Sequence, residues 1–176
     1  MHLKIVRGAV TVIVGVLFLV LFAANSRTLR RGNVSVGAHG ASVAAGGGEP
    51  WSDSQTIQPA ELAKELAATP AGDKPVVVCV GFHALYQGAH VPGALFHGAA
   101  STEHGIADLR NWAQGVAKSS KVVLYCGCCP LAKCPNIRPA FTALRDMGFS
   151  NLRVLLLPQD FNTDWIEKGY PVEKGK

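Results

Sequence analysis

Four of the five cysteines in the chain fall within nine residues, in Tyr125-Cys126-Gly127-Cys128-Cys129-Pro130-Leu131-Ala132-Lys133-Cys134-Pro135-Asn136-Ile137-Arg138-Pro139. A thiolate is both a nucleophile and a soft metal ligand, so such a cluster can transfer sulfur, exchange disulfides or hold a metal. Its setting favours the first. Val122-Val123-Leu124-Tyr125 ahead of it has the pattern of a buried strand. Ile137, Ala140, Phe141 and Leu144 behind it have helical spacing, with Asn136 as candidate cap and Gly148 as the stop. A loop from the carboxyl end of a strand to a helix N-terminus is where parallel α/β sheets bind ligands. Such a helix start offers unpaired N–H groups and a positive dipole end. Cys126 closes the strand run and is the candidate nucleophile. Facing those donors, its pKa should fall from about 8.5 toward neutrality. Gly127, Cys128 and Cys129 begin the cradle for an anionic substrate, which the three prolines stiffen. Lys133 and Arg138 are candidate substrate cations, equally readable as solvated surface charges.

Two rival chemistries use the same residues. Cys126-Gly127-Cys128-Cys129 is a C-x-x-C, a possible dithiol–disulfide pair of Cys126 and Cys129. A thioredoxin-like helix would start at the first cysteine, whereas Pro130 and Pro135 delay the helix to about Asn136. Cys128, Cys129 and Cys134 are also possible resolving thiols beside a sulfur-carrying Cys126. As a metal or persulfide carrier, the loop offers four thiolates to Zn or Cu(I). Its C-x-C-C-x4-C spacing lacks two separated C-x-x-C knuckles and no histidine adjoins it, so no metal is expected. Cys79 lies in an apolar run and reads as a core thiol. His83, His90, His97 and His104 recur every seven residues, but Pro92 and Gly93 break any helix that would align them. His90 reads as a turn residue, and the others as surface.

The elements that must hold this loop are those of an α/β layer fold with a mostly parallel sheet. Ile57-Gln58-Pro59-Ala60-Glu61-Leu62 predicts a helix start, with proline at the first position and Ile57 stapled on Leu62. That helix runs to Thr69-Pro70. Val76 to Val80 is a continuous β-branched run, as in a strand covered on both faces. Leu109, Trp112, Ala113 and Val116 predict a helix over 108–117, Leu152 to Leu157 another strand, and Phe161 to Lys168 a last helix carrying Trp165.

Over roughly residues 51–176 the sequence resembles the rhodanese-like domain family. The first-helix entry is similar, and Tyr86 with Gly88-Ala89-His90-Val91-Pro92-Gly93-Ala94 resembles the family's Tyr…Gly-His-Ile-Pro-Gly-Ala segment. Lys121 to Cys126 resembles the strand ending in the active-site cysteine, Ala143 to Phe149 the helix after the loop, and Trp165 with Gly169-Tyr170-Pro171-Val172 the C-terminal end. The resemblance implies a three-layer domain with a central mostly parallel sheet flanked by helices. It also implies a sulfurtransferase in which Cys126 takes a sulfane sulfur, holds it as a persulfide and passes it to a thiol or cyanide. No metal or organic cofactor is implied. Three features depart from the pattern: the loop is longer than usual, its first arginine is Arg138, and the family's Asp-x-Arg reads Cys79-Val80-Gly81.

Composition bounds the rest. Of 176 residues, 48% are hydrophobic and 16% charged, with 17 Lys+Arg against 12 Asp+Glu. The whole basic excess lies in Lys4, Arg7, Arg27, Arg30 and Arg31, which flank an apolar run, so nucleic-acid binding is excluded as a reading. Gly8 to Ser26 is uncharged and, as a helix preceding the domain, would reach about 28 Å, close to a bilayer core. Residues 1–31 are therefore expected to be a transmembrane anchor or a signal peptide, with Ala24-Asn25-Ser26 a plausible cleavage segment. The domain should then be membrane-anchored or exported, on the extracytoplasmic side. Residues 32–50 read as a flexible linker with a solvated His39, and residues 51–176 as one domain.

Overall fold

The computed structural model describes residues 48–175. The apolar leader, nearly all of the linker and His39 lie outside the described residues. Among the described residues no helix is long and apolar enough to cross a membrane.

Five strands, β1 (Thr56–Ile57), β2 (Val76–Cys79), β3 (Leu95–Phe96), β4 (Lys121–Tyr125) and β5 (Asn151–Leu155), form one sheet in the order β1-β5-β4-β2-β3. Every neighbouring pair is parallel, and β4 lies at the centre, with Cys79 opposite Tyr125 and Leu124 opposite Val154. Strands covered on both faces must be apolar at successive positions, and alternation sends them to two cores. Val78, Val80, Val122, Leu124 and Cys126 enter one core with α3 (Glu103–Gln114) and α4 (Ile137–Asp146). Val77, Cys79, Val123 and Tyr125 enter the other, with Leu62 of α1 (Pro59–Ala68), Tyr86 of α2 (His83–Gly88) and Trp165. The expected three layers are present.

Local chemistry accounts for most element ends. Pro59 opens α1, the Gln58 amide donates to Glu61 Oε2 at 3.1 Å, and Ile57 and Leu62 are buried in the same core. α3 begins five residues before the predicted start because Thr102 caps it, its hydroxyl accepting from the Gly105 amide at 3.0 Å. Gly105 itself hid that turn, since glycine is a poor helix former. Here it is required by packing, because a Cβ would lie 2.2 Å from the Ala99 carbonyl oxygen. The predicted last helix is a π-helical turn over Asn162–Ile166 with Trp165 fully buried. His90 is buried at its turn, stacked on Tyr86 with ring centroids 3.9 Å apart and its Nδ1 2.8 Å from the Tyr86 carbonyl oxygen.

Candidate functional site

Cys126 follows the last residue of β4 directly, and strand alternation directs its side chain to the same face as Val122 and Leu124. The Val80 amide donates to the Tyr125 carbonyl at 2.8 Å, which holds the strand end against the β2 exit. Gly81 packs there so closely that a Cβ would sit 2.6 Å from the Cys126 carbonyl oxygen. The chain then turns at Gly127, at φ +73°, with its carbonyl bonded by the Phe161 amide at 3.1 Å. A Cβ at Gly127 would lie 2.7 Å from Phe161 Cβ. Positive φ and close approach both demand glycine. The Gly127→Ala variant should lose at least about 2 kcal/mol of stability, read as a lower denaturant midpoint; an unchanged midpoint would refute the packing.

Beyond Gly127 the loop folds on itself. Leu131–Lys133 forms a 3-10 turn in which Lys133 N donates to the Pro130 carbonyl at 2.8 Å and Cys134 N to the Leu131 carbonyl at 3.1 Å. The Leu131 amide is spent on the Leu157 carbonyl. Arg138 closes the loop by donating to the carbonyls of Cys134 (2.9 Å), Ala132 (3.2 Å) and Leu131 (3.4 Å), and it pairs with Glu49.

Inside this frame four sulfurs converge. Cys126 and Cys128 Sγ are 3.1 Å apart, Cys128 and Cys129 Sγ 3.3 Å, and the Sγ atoms of Cys126, Cys128 and Cys134 all lie within 4.8 Å of one another. All five cysteines are free thiols. Asn136 joins sulfur to scaffold: its Oδ1 accepts from the Ser101 amide at 2.9 Å, while its Nδ2 donates to Cys126 Sγ at 3.3 Å.

The ionisation pattern follows from this geometry. Cys134 is lowered to about 6, first because the Cys126 thiol acts on it as a hydrogen-bond donor, and then because the amides of Asn136 and Ile137 at the start of α4 point to its sulfur. The same contact raises Cys126, since its proton is shared with Cys134, and burial raises it further. Burial also raises Cys129, with its contact to Cys128 adding to the effect.

Solved structures share this architecture. Against the rhodanese-like domain of the Alr3790 protein of Anabaena, the chain is 23% identical with a TM-score of 0.50, covering 68% of this chain and 79% of that one. Against the BH2092 protein of Bacillus halodurans it is 19% identical with a TM-score of 0.53, covering 69% and 77%. The domain has the rhodanese-like fold. No protein-family model and no curated protein sequence matches the chain.

Within this fold, several expectations about the loop are corrected. The helix-start amides lower the pKa of Cys134 rather than that of Cys126, because the loop delivers Cys134, not Cys126, to the mouth of α4. The amides of Leu131, Lys133 and Cys134 are consumed by carbonyls, whereas those of Gly127, Cys128 and Cys129, where the cradle was expected to begin, have no backbone carbonyl partner among the described residues. The Cys128 amide favours the Cys126 thiolate. Arg138 is a clamp on loop carbonyls. Lys133 is exposed and lines neither cavity that touches the cysteines. For the expected Cys126 and Cys129 pair, the 3.1 Å neighbour of Cys126 Sγ is Cys128, and Cys129 Sγ lies 3.3 Å from Cys128. Cys79 is buried on the opposite face of the sheet and raised to about 11 by burial.

Cys126 is 7% exposed and lies at the meeting point of two cavities. One, near 10 Å³, is lined with it by Gly127, Cys129, Leu131, Cys134, Leu155 and Leu157. The other is an apolar cleft of about 510 Å³ that Cys126 and Gly127 share with Tyr86, Phe161, Ile166 and Val172. Asn136 is the functional residue that sequence reasoning missed. Read as a helix cap, it makes no side-chain cap bond and is fully buried. Its only signal was a polar side chain set among the cysteines at the start of an otherwise apolar helix face.

Proposed function

We propose that the protein is a sulfurtransferase that carries sulfane sulfur as a persulfide on Cys126 and delivers it to a thiol or cyanide. The observation that carries this reading is the position of Cys126 at the carboxyl end of the central strand, hydrogen-bonded to Asn136 and with the Cys134 sulfur within 4.8 Å of its own. In the first step the Cys134 thiolate takes the Cys126 proton as Cys126 Sγ attacks the outer sulfur of thiosulfate; the S–S bond to the sulfonate breaks, and sulfite leaves with the electron pair. In the second step an acceptor thiolate takes the outer sulfur and Cys126 departs as thiolate. Covalent relay divides one difficult transfer into two easier ones. The apolar cleft beside Cys126 and Gly127 is the approach for the donor or acceptor, favouring reagents with apolar parts. The apolar leader is the basis for proposing that this chemistry occurs in an anchored or exported, extracytoplasmic domain.

A second reading, disulfide exchange, has its own support in the 3.1 Å separation of Cys126 and Cys128 Sγ. Both thiols would be oxidised by a small disulfide, which is reduced to two thiols. One experiment separates the readings. The reduced protein is incubated with thiosulfate or glutathione persulfide, and then with oxidised glutathione, and its loop peptides are weighed. Sulfur transfer adds one sulfur atom to the peptide at Cys126; exchange instead removes two hydrogens across Cys126 and Cys128. Sulfur found only on another cysteine, or no sulfur uptake at all, would refute the primary reading.

A further inference from the structure

We propose that Cys126, Cys128 and Cys134 form a trigonal, all-thiolate site for one Cu(I) ion. The three Sγ atoms lie within 4.8 Å of one another. A planar three-coordinate ion with metal–sulfur bonds of about 2.3 Å needs sulfurs about 4 Å apart. The close pair, Cys126 and Cys128 at 3.1 Å, opens by less than about 1 Å to reach that spacing. Among the described residues this is the group of potential ligands that comes together, and it contains neither histidine nor carboxylate. Thiolates alone are a soft donor set, which selects copper(I) or zinc over harder ions.

The number of ligands decides between those two. Zinc in closed protein sites takes four ligands in a tetrahedron. Here Cys129 touches Cys128 yet falls outside the group of three. The small cavity that Cys126 and Cys134 share with Cys129 is close to 10 Å³, at or below the space one water molecule needs. A fourth ligand from solvent therefore has no room there, whereas a monovalent d10 ion is satisfied by three thiolates.

The surroundings are built to hold sulfur in place. Cys126 is fixed by the end of β4, and the Cys134 carbonyl is gripped by Arg138 at 2.9 Å. Asn136 Nδ2 lies 3.3 Å from Cys126 Sγ and 4.0 Å from Cys128 Sγ, and Asn136 is itself held by the Ser101 amide. Donors of this kind, bonded to the ligand sulfurs, orient them and offset their charge. Leu131, Leu155 and Leu157 line the apolar side of the small cavity at Cys126 and Cys134. Binding exchanges protons for metal: Cu(I) displaces the remaining thiol protons to solvent and forms three Cu–S bonds, with no change of oxidation state. The ion occupies the sulfur that the persulfide would need, so metal loading and sulfur transfer exclude one another. The binding itself does not depend on the sulfurtransferase reading.

The test uses the full chain, reduced, freed of metal with a chelator and kept anaerobic. It is titrated with Cu(I) against bicinchoninate, and free thiols are then alkylated and mapped by mass spectrometry. The expected result is about one copper per chain, with Cys126, Cys128 and Cys134 protected and Cys129 still alkylated. X-ray absorption should show three sulfur neighbours and no nitrogen or oxygen. Cys134→Ser should weaken binding by about 100-fold or more, beyond the range for loss of an outer-shell partner, while Cys79→Ala should bind as the parent does. If Cys134→Ser fails to fold, the protection map of the unaltered chain decides. Absence of stoichiometric copper, protection of Cys129 as a fourth ligand, or parental affinity in a folded Cys134→Ser variant would each overturn the site.

Discussion

In the reduced protein the first loop thiol to ionise will be Cys134, with a midpoint near 6, and the Cys134→Ser variant will lose that transition. The cause is a shared proton: Cys126 donates to Cys134, and the amides that open α4 favour charge on the same sulfur. With serine at 134 that proton acceptor is gone, while burial and the Cys128 contact still raise the Cys126 thiol. Sulfur uptake from thiosulfate at neutral pH should drop on the order of 100-fold, the usual contribution of a positioned base. The parent rate should level off above about pH 6, whereas that of the variant should climb about tenfold per pH unit until Cys126 itself ionises. A merely structural role for Cys134 would lower the rate equally at every pH. Thiolate absorbance and the pH–rate profile of both proteins measure this, and parallel profiles would refute it.

The same ionisations set the sign of the stability profile. A folded-state pKa below the unfolded 9.0 means that the unfolded chain binds more protons between about 6 and 9. The Cys134 contribution is therefore fully present above 9 and is lost as pH falls through 6, with a slope of at most about 1.4 kcal/mol per pH unit. Cys79, raised to about 11, and Cys126 act in the opposite sense, since the folded chain holds their protons longer. Their contribution is complete below 9 and is lost as pH rises beyond it. Denaturant unfolding of the reduced protein should thus show a stability maximum near pH 9, and Cys134→Ser should flatten the acid side.

Asn136→Asp should leave the domain folded and still cut sulfur transfer by more than about tenfold at neutral pH. One carboxylate oxygen can keep the 2.9 Å bond from the Ser101 amide. The other replaces an N–H donor with a negative acceptor beside Cys126, where the amide nitrogen now lies 3.3 Å from the sulfur. A like charge at such range raises a thiol pKa by about 1–3 units. The thiolate pair and the anionic persulfide both lose support. Melting temperature and rate measured together check the claim: a stable variant with parental rates would show that the Asn136 contact has no chemical role.

Local signals were sufficient for the frame of the site. β-branched runs at Val76–Val80 and Val122–Tyr125 need two covered faces, and Ile137, Ala140, Phe141 and Leu144 need one buried stripe. Strand, loop and helix around Cys126 follow from those periods alone. α2 carries too few apolar positions to show a period over six residues, and β1 and β3 are two residues long, so only their neighbours make them elements.

What chain order alone settled is that a cysteine-rich loop joins the central strand of an α/β sheet to a helix. Which sulfur receives the helix amides was decided by contacts remote in sequence: Leu131 on Leu157, Gly127 on Phe161, Asn136 on Ser101, Arg138 on Glu49. Residue type tells what a thiol, an amide or a guanidinium is able to do, and periodicity tells which face of an element is buried. Neither one states whether a given N–H is still free. That depends on which carbonyl folding brings within about 3 Å of it, and so the helix-start donors expected at Cys126 act on Cys134, while the Cys128 amide serves Cys126.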